Sequence, residues 1–346
     1  MSEKPQDLVC KLAQECIGKS PVIILGSGAS AAYGIPGMPQ LKDYLLGLSC
    51  PTSITLEEKK RWNEFHARLK TTDLETALNE VRLSECLTAF VVESTWDFLA
   101  PFDYKVFEET ILRVDMFPLT KLFLHLFYST QKEIHVVTPN YDRLAEYAAD
   151  AGKLVHYTGF NYGHIRTRVT NNKPRIFYGK NTPARTVNVW KVHGSFDWFR
   201  DRDGIVFGLP IGKQRPANVA PVIVTPGIEK FRLTHEEPFH SIKTEADRAL
   251  QSADAYLCIG YGFNDSHLQT TLVERCRGND IPLVLLTREI SSTAKAFLVS
   301  GKCSKYLAIE EMDTGCRVFS AEFPAGVEIA KKSFWQLSEF LKLVIS

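Results

Sequence analysis

The chain has 346 residues, of which 45% are hydrophobic and 23% are charged, and its formal net charge at pH 7 is +1. These values exclude bulk disorder, and the near-neutral charge argues against a general nucleic-acid-binding surface. The longest apolar runs are too short to span a bilayer, and no apolar signal segment follows Met1, so we expect no membrane association. Eight cysteines without any Cys-x-x-Cys pair indicate reduced thiols and predict a cytoplasmic protein.

The first predicted strand is the apolar run at residues 21–25, which follows a predicted helix over residues 5–18. A continuous apolar run is typical of a strand that is buried on both faces of a parallel sheet. The strand enters a turn with the spacing Gly26-x-Gly28-x-x-Ala31, which fits a relaxed dinucleotide-binding fingerprint but also occurs as a simple tight connection. Glycines allow close approach of a ligand, and if Ser30 opens the next helix, its free amides would face a phosphate.

Only helices are predicted for the next part of the chain. After a loop with two prolines and two glycines at residues 33–41, no strand is predicted between Thr55 and Tyr128. We interpret residues 41–130 as an inserted helical module. A standard dinucleotide-binding unit would place a second strand with an acidic ribose ligand about twenty residues after the glycines, so its absence argues against an ordinary dehydrogenase. The helices are predicted over residues 41–48, 56–70, 74–81, 84–99 and 119–128.

Strands alternate with helices again from residue 133. This alternation predicts a Rossmann-like α/β fold with a doubly wound parallel sheet. We treat residues 1–346 as a single domain whose last part, residues 291–346, is a C-terminal extension of uncertain role. Strands are predicted over residues 133–138, 154–157, 187–192, 221–225, 255–260, 282–287, 306–309 and 317–319. Helices are predicted through Ala149 and Arg275 and over residues 242–251, 291–299 and 329–344. A hairpin is predicted around residues 201–204, and a long loop over residues 158–186.

Small and polar residues stand at four of the predicted strand ends. Ligands of such sheets bind beyond the carboxyl ends of the strands, so we expect these four segments to lie close together. Each residue type also has an ordinary structural role: Asn140 and Asp142 as helix caps, His193 as a half-buried histidine, and Asn264 or Asp265 as the cap of the following helix. The segments are residues 26–30, 138–142, 193–195 and 260–265.

Taken in order, these motifs resemble those of the sirtuin family over roughly residues 20–290. No cysteine lies between Cys86 and Cys258, so the four-thiolate zinc site of protein-deacylating sirtuins cannot form. Gly-Met-Pro at residues 37–39 replaces the usual Asp-Phe-Arg, which argues against acyl-lysine chemistry. The chain is similar to the zinc-free sirtuin-like NAD hydrolases of bacterial antiphage defence systems. The motifs are Gly-Ser-Gly-Ala-Ser at residues 26–30, Gly-Ile-Pro at 34–36, Thr-Pro-Asn-Tyr-Asp at 138–142, His-Gly at 193–194 and Gly-Tyr-Gly at 260–262.

The resemblance implies a sirtuin fold, NAD as substrate, and no zinc or other metal. It implies that Asn140 orients the nicotinamide ribose or the attacking water, that Asp142 bonds nearby hydroxyls or fixes Asn140, and that His193 is the general base. It further implies that NAD is bound by Gly26, Ser27, Gly28, Ala29 and Ser30 at the phosphates, by Pro36, and by Gly260, Gly262 and Asn264 on the adenosine side.

The hypothesis from the sequence is therefore a cytoplasmic NAD glycohydrolase that depletes NAD in antiphage defence. Because such an activity must be restrained, the resemblance implies a homo-oligomer or a second protein that restrains the enzyme. A HerA-type ATPase is the first candidate for this second protein, and another defence sensor subunit is the next. No direct nucleic-acid partner is expected. The alternatives are a zinc-free NAD-dependent protein deacylase or ADP-ribosyltransferase, and a non-catalytic regulatory module that binds NAD or ADP-ribose.

Overall fold

The structure is a computed structural model. It describes residues 4–169, 173–178, 181–210, 212–225, 236–277, 280–299 and 303–345, without the side chains of residues 266 and 267. The strands are β1 Val22–Leu25, β2 Glu133–Thr138, β3 Val155–Tyr157, β4 Arg166–Thr167, β5 Phe177–Tyr178, β6 Thr182–Pro183, β7 Thr186–Lys191, β8 Gly194–Arg200, β9 Val206–Gly208, β10 Ala220–Ile223, β11 Tyr256–Ile259, β12 Leu283–Leu286, β13 Tyr306–Met312, β14 Gly315–Ser320 and β15 Val327–Ala330. The helices are α1 Pro5–Gly18, α2 Ser27–Ala31, α3 Met38–Leu46, α4 Leu56–Thr71, α5 Leu74–Glu80, α6 Glu85–Leu112, α7 Pro118–Leu126, α8 Leu144–Ala151, α9 Phe239–Ser252, α10 Ser266–Cys276, α11 Ser292–Phe297 and α12 Leu337–Leu341.

The central sheet has nine strands in the order β15-β14-β13-β12-β11-β1-β2-β7-β3. All neighbouring strands from β13 to β3 are parallel, and β14 and β15 add an antiparallel edge. Strands β1 and β12 are buried at every residue, because helices cover both faces of the sheet. The predicted fold class, an α/β fold with a mostly parallel sheet, is confirmed.

The two faces of the sheet contribute to different hydrophobic cores. Ile23 and Leu25 of β1 pack with α1, α7, α8 and α12, whereas Val22 and Ile24 pack with α9, α10 and α11. Successive side chains of a strand point to opposite faces, so one short apolar strand supports both cores. Within the described ranges, no helix is long and apolar enough to cross a bilayer.

Between β1 and β2 the chain is helical, from α2 to α7. The prediction that a helix ends near residue 99 is wrong, because α6 continues through Pro101 to Leu112. A proline inside a helix removes one backbone hydrogen bond, but tertiary contacts hold the second half of α6 in place. Asp103 is fully buried there and accepts hydrogen bonds from Arg143 and Tyr147. The interpretation of residues 41–130 as an insertion stays a prediction.

A second, antiparallel sheet has the strand order β10-β8-β9-β4. The predicted strand at residues 221–225 therefore lies outside the parallel sheet. The helices between β1 and β2 pack on this second sheet in a third core, and the Trp96 indole donates to the Phe196 carbonyl at 2.8 Å. The predicted loop at residues 158–186 contains the short strands β4, β5 and β6 and the first residue of β7, while residues 170–172 and 179–180 lie outside the described residues.

The last part of the chain joins the central sheet through β13, β14 and β15. The predicted closing helix over residues 329–344 is wrong in its first half, because Val327–Ala330 pairs with β14 as an edge strand. Only Leu337–Leu341 is helical in that region. The division into one domain and a C-terminal extension from residue 291 stays a prediction.

Candidate functional site

The four strand-end segments predicted to lie together follow β11, β1, β2 and β7, which are adjacent in the sheet. A cavity of about 350 Å³ opens at their carboxyl ends. This volume lies within the range of about 300–1,000 Å³ that is usual for small-molecule sites. Asn140, Asp142 and His193 all line the cavity. The structure therefore brings the three predicted catalytic residues to one place.

The predicted NAD-binding residues divide into two groups. One group lines the cavity and contains Gly26, Ser27, Ser30, Pro36, Gly262 and Asn264. The other group, Gly28, Ala29 and Gly260, is predicted to bind NAD but does not line the cavity. The second group lies in the two glycine turns where they contact each other.

The two glycine turns pack backbone against backbone. A Cβ atom on Gly26 would lie 2.3 Å from the Gly260 carbonyl oxygen, and one on Gly260 would lie 2.2 Å from the Ala29 nitrogen. Gly260 also has a φ of +58°, a conformation that favours glycine. The close approach that the sequence attributes to a ligand is thus made, at these positions, by another segment of the chain.

The turn after β1 also differs from its predicted geometry. Helix α2 begins at Ser27 and has only five residues, so Ser30 lies inside it and does not open it. The amides of Gly26, Gly28 and Ala29 already donate to the carbonyls of Ile259, Gly260 and Gly26. A ligand phosphate at this turn would therefore have fewer free backbone donors than the sequence motif suggests.

Asn140 connects the turn after β1 with the end of β2. Its Nδ2 donates to the Gly26 carbonyl and to the Ser30 hydroxyl, each at 2.9 Å. Its backbone amide donates to the Thr138 hydroxyl at 3.0 Å, and that hydroxyl donates to the Leu25 carbonyl at 2.8 Å. Because both amide hydrogens of the side chain have partners, the Asn140 side-chain orientation is fixed and its Oδ1 is the atom left for a ligand.

Asp142 is buried behind Asn140, and its Oδ2 accepts a hydrogen bond of 2.6 Å from the Ser30 hydroxyl. Burial raises the pKa of the Asp142 carboxyl above its ordinary value, although the Lys191 ammonium and the Ser30 hydrogen bond act in the opposite direction. The Ser30 hydroxyl contacts both side chains and so links this carboxyl group to Asn140, whereas the role of Asp142 in bonding hydroxyls or fixing Asn140 stays a prediction.

A fully buried lysine supports the same loop from the sheet side. Lys191 is the last residue of β7; its Nζ donates to the Asp142 carbonyl and lies 3.3 Å from Glu146 Oε1. Burial raises the pKa of Glu146, with Lys191 opposing that shift. The sequence interpretation did not include Lys191, although a lysine within an otherwise apolar strand could have identified it, because such charges are rarely buried without a partner.

His193 is paired with a carboxylate from a different strand end. Its Nε2 lies 3.0 Å from Asp265 Oδ2, and the side chains of the two residues are 12% and 6% exposed. Asp265 is also the predicted helix cap, since its Oδ1 accepts from the Leu268 amide at 3.2 Å. The sequence predicted the cap but not the contact with His193, because only the tertiary fold brings the residues after β11 and β7 to the same cavity.

The helices between β1 and β2 close one side of the cavity. Asp73 and Glu75, at the beginning of α5, and Leu99 of α6 are lining residues that the sequence did not single out. On another side of the cavity, Tyr141 in the segment after β2 donates from its hydroxyl to the carbonyl of Val224, the residue after β10, at 2.6 Å. The cavity is thus formed between the parallel sheet, the antiparallel sheet and the helices.

Across the described part of the chain, no group of three or more His, Cys, Asp or Glu residues is arranged to hold a metal ion. The expectation of a zinc-free protein stays a prediction that rests on the cysteine spacing.

One comparison, with models of protein families, matches the middle of the chain. A family model described as a SIR2-like domain matches residues 134–289, which include Asn140, His193 and Asp265. The matched segment is a SIR2-like domain and covers less than half of the chain. None of the curated proteins matches the sequence.

Solved Sir2 structures are also similar to the chain. A structure from work on the mechanism and regulation of Sir2 enzymes has 16% identity and a TM-score of 0.40, covering 84% of this chain and 90% of its own. A Sir2 homologue in complex with NAD has 15% identity and a TM-score of 0.39, covering 89% of each chain.

Proposed function

We propose that the protein is an NAD glycohydrolase, which cleaves NAD to ADP-ribose and nicotinamide. The observation that carries this proposal is the meeting of Asn140, Asp142 and His193 at one cavity beyond the carboxyl ends of adjacent parallel strands. The match of residues 134–289 to the SIR2-like domain supports NAD as the substrate.

The proposed reaction breaks the bond between C1′ of the ribose and the nicotinamide nitrogen. The electron pair of that bond goes to the pyridine nitrogen, so nicotinamide leaves as a neutral molecule and its departure needs little acid catalysis. The transition state resembles an oxocarbenium ion, so the protein has to hold the ribose and place a nucleophile. A water oxygen attacks C1′ and yields ADP-ribose.

The side chains of the site have separate tasks in this reaction. The Oδ1 atom of Asn140 accepts a hydrogen bond from the attacking water or a ribose hydroxyl, while its Nδ2 is held by Gly26 and Ser30. His193 takes the proton that the water loses and later releases it to solvent. Asp142 and Lys191 keep the loop that carries Asn140 in place.

We also propose that this activity depletes NAD in antiphage defence and that it is restrained by self-assembly or by a second defence protein. A HerA-type ATPase is the first candidate for this protein. The motivation is chemical: unregulated cleavage of a central cofactor would damage the cell that makes the enzyme. Sedimentation of the purified chain alone, and with such an ATPase added, tests this part. A monomer that cleaves NAD at full rate would contradict it.

The main experiment is incubation of the purified protein with NAD, followed by chromatography of nicotinamide and ADP-ribose. His193→Ala should reduce product release by about 10²-fold or more, the usual effect of removing a general base, and Asn140→Ala should reduce it to a similar extent because the water or ribose loses its positioning acceptor. His125→Ala is the matched control, because His125 lies on α7 and is not part of the cavity. Its rate should equal that of the wild type.

Other outcomes would favour the alternatives. Nicotinamide release that requires an acyl-lysine peptide would indicate a deacylase, and transfer of label from NAD to protein would indicate an ADP-ribosyltransferase. Binding of NAD without release of nicotinamide, by the chain alone and with its partner, would indicate a regulatory binding module. Release that neither substitution affects would show that the catalytic site lies elsewhere.

A further inference from the structure

We infer that Asp265 is a positioning residue that fixes the orientation and the tautomer of His193. This inference rests on the proposed function, because it assigns the catalytic form of the general base. The geometric basis is the 3.0 Å contact between Asp265 Oδ2 and His193 Nε2, made between two side chains that are almost withdrawn from solvent. Among the described residues, no other carboxylate oxygen lies within 4.0 Å of the His193 ring nitrogens.

The position of the Asp265 carboxylate is itself fixed by a helix. Its Oδ1 accepts from the Leu268 amide and caps α10, a helix of 11 residues, so one oxygen belongs to the helix and the other faces the imidazole. The Asp265 side chain therefore has little freedom to rotate away from His193. A carboxylate held in this manner fixes the position of His193 Nε2, the ring nitrogen that contacts it.

The contact also assigns the two ring nitrogens of His193. A carboxylate without its proton only accepts hydrogen bonds, so Nε2 carries the hydrogen that is donated to Asp265. In the neutral ring, the lone pair for accepting a proton is then on Nδ1. Among the described residues, Nδ1 has no hydrogen-bond partner, so this is the ring atom to which the inference assigns the proton from water.

Asp265 has a second effect on the step in which His193 takes the proton from water. The oxygen–hydrogen bond of the water breaks, a new bond forms between that hydrogen and Nδ1, and the ring becomes positively charged. The carboxylate 3.0 Å from Nε2 stabilises this charge as it develops. The remaining titratable side chains around the same cavity are Asp73, Glu75, Tyr141, Asp142 and Tyr261.

Asp265→Asn separates the positioning role from the cap. Asparagine caps helices about as well as aspartate, so the stability of α10 should be kept while the charge and the fixed acceptor are lost. We expect kcat for NAD cleavage to fall about 10–100-fold, as when the partner of a functional histidine is removed, with KM changed by less than about threefold. In a His193→Ala background, the same substitution should lower kcat by less than about twofold, because Asp265 acts through His193.

A cap elsewhere provides the matched control. Thr55→Ala removes the cap of α4, where the Thr55 hydroxyl accepts from the Glu58 amide at 3.2 Å, and α4 does not line the cavity. It should lower stability and leave kcat unchanged. The positioning role is wrong if Asp265→Asn keeps kcat within twofold of the wild type, or if its loss multiplies fully with that of His193→Ala.

A spectroscopic measurement tests the inference even if NAD is not the substrate. The ¹⁵N chemical shifts of the His193 ring, assigned by comparison with His193→Ala and followed through a pH titration, should show that the neutral form carries its hydrogen on Nε2 in the wild type. In Asp265→Asn, the population of the other tautomer should increase. A wild-type ring protonated at Nδ1 would overturn the inference, whereas absence of NAD cleavage together with the expected tautomer would contradict only the proposed reaction.

Discussion

Ser30 and Asp142 are 112 positions apart in the sequence, and a hydrogen bond of 2.6 Å joins the hydroxyl of the first to the carboxylate of the second. The same hydroxyl accepts from Asn140 Nδ2 at 2.9 Å. One buried serine therefore connects the turn after β1 with the two polar residues at the end of β2. This small network gives Asn140 a defined orientation toward the cavity.

Ser30→Ala should lower the free energy of unfolding by about 1–3 kcal/mol, because it leaves the buried Asp142 carboxylate without this donor. Urea unfolding measures the change. Ser129→Ala is the control: the Ser129 hydroxyl also donates a hydrogen bond, to the Leu126 backbone carbonyl at 2.7 Å, but Ser129 is exposed. Its effect should stay within about 0.5 kcal/mol. Equal effects of the two substitutions would contradict the proposed network.

Gly26→Ala should be strongly destabilising, since the new Cβ would lie 2.3 Å from the Gly260 carbonyl oxygen. Backbone atoms on both sides would have to move, and we expect a loss of about 3 kcal/mol or more, or failure to fold. Gly18→Ala, at the end of α1, meets no atom within 4 Å and should stabilise the protein by about 0.5–1 kcal/mol. Thermal unfolding of both variants distinguishes them, and a folded Gly26→Ala protein of normal stability would disprove the contact.

Two buried carboxyl groups should affect stability with opposite dependence on pH. Burial raises the pKa of Asp142, so its contribution to the free energy of unfolding is largest below the ordinary carboxyl pKa of about 4 and declines as the pH rises through the native value. Burial acts in the same direction on Asp197, but Arg166 and Arg143 lower its pKa below the ordinary range. Its contribution is therefore largest above about pH 4 and declines as the pH falls through the native value.

Urea unfolding at several pH values between about 3 and 8 tests this contrast with Asp142→Asn and Asp197→Asn. The stability of the wild type relative to Asp142→Asn should decrease as the pH rises. Its stability relative to Asp197→Asn should increase over the same interval. If the two differences change in parallel with pH, the assigned directions of the pKa shifts are wrong.

Asp103→Ala should destabilise the protein by about 3–5 kcal/mol, because it leaves the buried Arg143 guanidinium without its carboxylate. Asp103 also accepts from the Arg143 amide and the Tyr147 hydroxyl, each at 2.8 Å. Glu64→Ala breaks an ion pair on the surface of α4, where Arg61 and Glu64 are half exposed, and should change stability by less than about 1 kcal/mol. Denaturant midpoints of both variants provide the comparison, and a loss below 1 kcal/mol for Asp103→Ala would contradict the buried pair.

The strand ends of the site could be predicted from the sequence for a physical reason. Apolar runs such as residues 22–25 and 256–259 indicate strands buried on both faces, and parallel strands end at a shared edge of their sheet. Grouping the residues after these strands was therefore possible without knowing the strand order. That β11 lies beside β1 was not predictable, because no local pattern encodes the neighbours of a strand.

The remaining features depend on contacts between distant segments. Helix α6 extends past Pro101 because Asp103 meets Arg143, and Ala330 belongs to a strand because β14 offers it a partner edge. Asp265 has the local pattern of a helix cap and satisfies it, so nothing near it in the sequence indicates its contact with His193. Local propensity is a weak guide wherever such tertiary contacts decide the outcome.

The place of β1 within the sheet has a consequence for biosynthesis. Of the described strands, β1 is the first to be synthesised, yet its two neighbours are β2 and the much later β11. At synthesis rates of about 5–20 residues per second, its apolar residues wait many seconds for the second partner. Nascent chains interrupted before residue 256 should therefore retain an unpaired hydrophobic edge and depend on chaperones, whereas chains that include β11 should not.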